Sequence, residues 1–358
     1  MKRVICLCLL LLVMTVHAQA AEIPKDLERA LPEGTEDLVE NADLSGGTGF
    51  AQAVGNLLEK VGDQVGAVVR QRLRGAASIL LVVVLCGAVE GFYQGGSSKV
   101  TTFLPMVGAL SVTMLTVGSL DSLIGLGAET IQNLNTFSKV LLPTLAAATA
   151  ASGAVTSATV QQVTTVFFVD LLLNLINGLL LPLVYLYIGV LAASAMLPEN
   201  RLGAIAEALK KVVTWILCTA LLVFTVYLSL VRVVSGSADG MTVKVAKAAI
   251  SGVVPVVGGI ISEASETVLA GAGMLKNAIG VFGMLAILAA CAYPFLQLGV
   301  QYLLYKLTAF LASTVGAPGL CKLIDGLGGA FGLVLGMTGA CALLLLISVL
   351  SSVAAVVP

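Results

Sequence analysis

Residues 166 to 197 read "VFFVDLLLNLINGLLLPLVYLYIGVLAASAML", an apolar run interrupted by one charged residue, Asp170, and one proline, Pro182. As a helix rising roughly 1.5 Å per residue it would be about 48 Å long, longer than the roughly 30 Å of a bilayer's hydrocarbon core. A kink at Pro182 or an end protruding from the membrane is expected. Similar runs occur at about 76–93, 103–124, 139–158, 212–235, 278–304 and 329–357, and none alternates as a barrel strand does. The whole chain of 358 residues is 58% hydrophobic and 11% charged, with a mean hydropathy of +1.03. These values exclude an ordinary soluble domain and predict an all-α, polytopic helical membrane protein with about seven transmembrane helices after a signal peptide.

Within the quoted stretch Asp170, Asn174 and Asn177 follow at spacings of four and three, which places them on one helix face. A carboxylate and two amides cannot be left against lipid tails. The stripe is expected to point into the bundle or toward a cavity, either as hydrogen-bonding glue between helices or as the lining of a conduit.

The N-terminus carries Lys2 and Arg3, the apolar run "VICLCLLLLVMTV" and small residues at Ala18 and Ala20, so residues 1–20 are expected to be a signal peptide. Residues 21–75 form an acidic linker followed by an amphipathic helix outside the cytoplasm. In that helix Phe50, Val54, Leu57, Val61, Val65 and Val68 recur on one face. Residues 76–358 form the transmembrane domain. Arg70, Arg72 and Arg74, just before the first span, would prefer the cytoplasm; the signal is the stronger guide to orientation.

Removing the signal removes His17, the single histidine of the chain. Ser-His-Asp catalysis, histidine zinc ligation and histidine proton relays are then out of reach, and the expectation is a non-enzyme without a cofactor or metal site. The five remaining cysteines, Cys86, Cys218, Cys291, Cys321 and Cys341, form no CxxC and read as small buried hydrophobes. No basic domain suggests nucleic acid.

The stretch "SGVVPVVGGIISEASETVLAGAGMLKNAIGVFGMLAIL", residues 251–288, adds Pro255, Gly258 and Gly259 ahead of a narrow polar face containing Glu263 and Glu266. This pattern suggests a discontinuous helix, with the glutamates either facing an aqueous cavity or floating at the interface. A faint echo relates "LPMVG" at 104–108 to "VPVVG" at 254–258, with Pro143 and Pro294 following at nearly equal offsets. Gly328, Gly332, Gly336 and Ala340, at four-residue steps, form a candidate face for close helix packing. Trp215, after Lys210 and Lys211, fits an interfacial anchor.

From "SADGMTVKVAKAAISGVVPVVGG" through "MLKNAIG" and "CAYPFLQLGVQYLLYKLTAFLASTVG" to "LIDGLGGAFGLVLGMTGACALLLLISVLSS", roughly 237–352, the sequence resembles the stage III sporulation protein AE family. The resemblance implies a permease-like component of the channel or secretion-like complex joining mother cell and forespore. Its expected place is the mother-cell membrane around the forespore. Its implied partners are the other membrane proteins of the same operon and a forespore channel partner; membrane lipid and further copies of itself are expected besides. The rival expectation is an autonomous secondary transporter of a small solute, prompted by the Asp170 stripe and the faint repeat.

Overall fold

A computed structural model describes residues 24–32, 35, 47–92, 98–197, 202–253, 258–315 and 318–354. Among the described residues every regular element is a helix: α1 (Lys25–Arg29), α2 (Gly47–Phe92), α3 (Ser98–Ala151), α4 (Val155–Leu175), α5 (Leu181–Met196), α6 (Gly203–Val253), α7 (Gly258–Val315) and α8 (Pro318–Val353). Counting α4 and α5 as one unit, six helices among the described residues are long and apolar enough to cross a membrane.

Two expected boundaries are absent and a third is displaced. The amphipathic segment and the first apolar span are one helix, α2, without a break at residue 75. The spans expected at 103–124 and 139–158 are joined, because the polar segment between them stays helical and α3 continues to Ala151. At 54 residues, or about 81 Å, α3 is far longer than one crossing. The α3–α4 turn falls inside the second of those spans. Gly153, with φ 96°, occupies the left-handed position there. Ala154 N–H donates to Thr149 O at 3.2 Å and Gly153 N–H to Ala150 O at 3.0 Å, the two bonds of a Schellman turn.

Pro182 has the effect its chemistry requires. It has no N–H for the carbonyl of Gly178, and its ring crowds that same carbonyl. The backbone responds with a π-turn over Ile176–Leu180, in which Leu181 N–H reaches back to Ile176 O, and the helix then resumes as α5.

α8 is the helix that the others surround. Of its most apolar stretch 61% is buried, against 17% in α2 and α6, and it packs on α3, α4, α5, α6 and α7. Gly108 lies against Leu320 and Gly127 against Val334, so α3 runs parallel to α8. Gly280 meets Val353 and Gly328 meets Tyr305, so α7 runs antiparallel to it. A methyl group at Gly328 would lie 3.0 Å from Tyr305 Cβ, and one at Gly332 would lie 3.1 Å from the Tyr302 ring. Gly336 instead faces Leu217 of α6, and Ala340 is buried. The sequence echo has no matching packing: α2 lies along α7, whereas α6 lies mainly along α4, α5 and α8.

Candidate functional site

The exposed face of α3 changes character along its length. Toward the N-terminus it presents Phe103, Met106, Val107, Leu110, Met114 and Val117. Between Asp121 and Lys139 the exposed positions are Asp121, Ser122, Gly125, Glu129, Gln132, Asn133, Thr136 and Lys139, and Pro143 and Ala147 continue the face beyond them. α2 changes in the opposite chain direction. Glu59, Lys60, Asp63, Gln64, Arg70 and Arg74 are exposed first, then Leu81, Val84 and Leu85.

Depth can be read from α8. Gly127 of α3 touches Val334 and Thr338, and Leu217 of α6 touches Gly336 between them. One to three turns further along these two helices, and so deeper than Trp215, α6 exposes Leu222, Val223 and Val226 while α3 exposes Gln132, Asn133 and Thr136. One side of the bundle therefore suits lipid and the other does not. A charge at the bilayer centre costs about 2.5 to 3.5 kcal/mol. Asp121 and Lys139 lie 18 residues apart on α3, about 27 Å, so the polar face spans most of the hydrocarbon depth and the charges near its middle would carry that cost.

Asp170, Asn174 and Asn177 belong to the helical unit packed beside α3, where they alternate with the exposed Phe167, Leu171 and Leu179. All three are exposed on the outer surface of the α4 unit, with Asn177 inside the π-turn. They do not enter this chain's own bundle, because the inward positions of α4 belong to Val169, Leu172, Leu173 and Ile176.

A second polar group is internal. Arg72 Nη2 donates to Gln297 Oε1 at 2.8 Å, and Gln297, Gln301 and Tyr305 are buried at successive turns of α7. Tyr305 Oη donates to Thr116 Oγ1 at 3.1 Å, so α2, α7 and α3 are joined. Arg72 Nε and Gln301 Oε1 are buried without a hydrogen-bond partner, a donor and an acceptor on adjoining members of one network. Of the arginine triplet, Arg72 turns inward and Arg70 and Arg74 stay exposed.

Two further buried contacts fix the α4 end of the bundle. Gln161 Nε2 donates to Ser351 Oγ at 3.3 Å, its Oε1 accepts from Ser352 at 2.9 Å, and Thr165 pairs with Ser348. The first turn of α4 has no side-chain cap of its own. The buried carboxylate of Asp239 from α6 accepts the Thr156 and Ser157 N–H groups, both at 2.8 Å. An anion is thus held at a helix N-terminus by another helix.

Sequence reasoning missed the Arg72 network and Asp239. The signal for the first was present: Gln297, Gln301 and Tyr305 repeat every four residues in an apolar helix. Pro255 lies outside the described residues, between α6 and α7. Helix α7 begins at Gly258 and runs through Gly259, Glu263 and Glu266, whose side chains are outside the described set.

A family model described as Stage III sporulation protein AE matches residues 36–356. A relative named "Stage III sporulation protein AE" from Bacillus subtilis (strain 168) is 25% identical over 253 residues, covering 69% of this chain and 62% of the relative. The chain therefore spans less than two thirds of that relative's length. No solved structure matches the chain. With the family model covering nearly its whole length, this multi-pass helical membrane protein belongs to the stage III sporulation protein AE family.

Proposed function

We propose that the protein is a permease-like, non-enzymatic component of the channel or secretion-like complex between mother cell and forespore, placed in the mother-cell membrane around the forespore. Other membrane proteins of the same operon, a forespore partner and further copies of this chain supply the remaining walls. The observation that carries this reading is the polar face of α3, beside the exposed α4 stripe, at a depth where α6 is apolar. Such a surface needs water or protein beside it.

The same observation weighs against an autonomous solute transporter, whose polar residues should be enclosed by its own helices. Here Asp170, Asn174, Glu129 and Gln132 stand outside the bundle, so a passage along them is incomplete in one chain.

A functional fluorescent fusion replacing the native copy tests the assignment. The expected result is enrichment at the engulfing septal membrane during sporulation, lost when the partner operon is deleted. Uniform labelling of growing cells would overturn it.

A further inference from the structure

Between α5, α6, α7 and α8 lies a cleft of about 1110 Å³ whose wall carries Lys210, Lys211, Lys306 and Lys322 with Glu207 and Asp325. Lys306 is committed to Asp325, Nζ to Oδ1 at 2.6 Å. Lys210, Lys211 and Lys322 therefore face a single remaining carboxylate, and the cleft keeps a positive excess. Its floor is tied down by Tyr187 Oη donating to Gly326 O at 2.9 Å.

Trp215 lines this cleft and is 69% exposed. The same indole lines an adjoining apolar groove of about 290 Å³, with Phe168, Leu171 and Val223 among its walls. Going along α6, lysines at 210 and 211 are followed one turn later by Trp215 and two turns after that by Val223. A cationic cleft thus continues into an apolar groove across an aromatic residue. That sequence of environments is the profile of a phospholipid from headgroup to chain, and Trp residues favour the boundary between the two.

We propose that the basic cleft binds the phosphate-bearing headgroup of an anionic phospholipid and that the adjoining groove receives one of its acyl chains. Lys210 and Lys211 contribute most of the charge selectivity, with Lys322 opposite them on α8. No described α3 residue lines the cleft, and the site does not depend on the channel assignment.

Trp215 is the single tryptophan of the chain, so its fluorescence reports this site alone. The full chain is reconstituted into phosphatidylcholine vesicles containing a minor fraction of either brominated phosphatidylglycerol or brominated phosphatidylcholine, and quenching is compared. The expected result is about a fivefold or greater preference for the anionic lipid, the scale of one lysine near an anionic surface. It should be lost in the Lys210→Gln, Lys211→Gln double variant and kept in the Lys210→Arg, Lys211→Arg variant. Retention in the arginine variant separates loss of charge from loss of fold. Equal quenching by the two lipids in the wild type overturns the proposal. So does a preference that survives the glutamine variant, or one abolished by millimolar inorganic phosphate at constant ionic strength, which would mark a site for a free anion.

Discussion

Asp170, Asn174 and Asn177 on α4 and Gln297, Gln301 and Tyr305 on α7 are polar stripes of nearly the same helical spacing, set in comparably apolar surroundings. The α4 stripe is exposed beside α3, which carries Glu129 and Gln132, whereas the α7 stripe is buried against Arg72 and Thr116. Periodicity identifies a shared face, but the neighbouring helices decide where that face points. An inward stripe is a structural element whose members depend on one another. An outward stripe at membrane depth is unfinished business for the single chain and points to what surrounds it.

The comparison breaks most readily at Arg72. Arg72→Ala should lower stability in detergent by about 2 to 3 kcal/mol, the scale of a charge-assisted hydrogen bond plus a stranded amide. Replacing Arg72 and Gln297 together with methionine should cost less than the sum of the single changes, because neither partner is then left stranded. A thermal-unfolding double-mutant cycle measures both, and strict additivity would show that the two residues are independent.

A smaller effect is expected at Gly328, where an added methyl would lie 3.0 Å from Tyr305 Cβ and anything larger would push α7 away. Gly328→Val should cost about 1 to 3 kcal/mol through overpacking, while Gly336→Ala, facing Leu217 at an ordinary 3.6 Å, should stay near neutral. The same unfolding assay separates them. Asp239→Ala removes the acceptor for two N–H groups at the start of α4 and should cost about 1 to 2 kcal/mol. Hydrogen exchange at Thr156 and Ser157 should accelerate before the rest of α4 does. The smallest stability change is expected on the outward stripe. Asn174→Ala and Asn177→Ala should shift the isolated chain by no more than about 0.5 kcal/mol. In sporulating cells the same substitutions should impair forespore development if that surface is used, and normal development would remove it from the functional site.

Much of the fold was legible because its physics is local. The apolar runs identify helices, and Pro182 marks the irregular turn through its missing N–H. Where α3 would stop was not legible, since Glu129, Gln132 and Asn133 are unfavourable in lipid but entirely compatible with a helix. The Arg72–Gln297 pair joins positions 225 residues apart, and Asp239 reaches Thr156 across 83. No spacing rule in a single sequence connects such residues. The "DG" element of the family resemblance contains Asp239, but its capping role appears only when α6 and α4 are brought together.

The central claim, that the α3 flank of the bundle meets water at a depth where the α6 flank meets lipid, is most directly tested by cysteine accessibility. Single cysteines at Gln132, Asn133, Leu222 and Val226 are placed in an otherwise cysteine-free chain that still supports sporulation, then exposed to a small water-soluble maleimide in sporulating cells made permeable to it. The account predicts ready labelling at positions 132 and 133 and little at 222 and 226. Equal protection of all four positions would mean that no water-filled passage runs along α3, and the channel reading of its polar face would have to be abandoned.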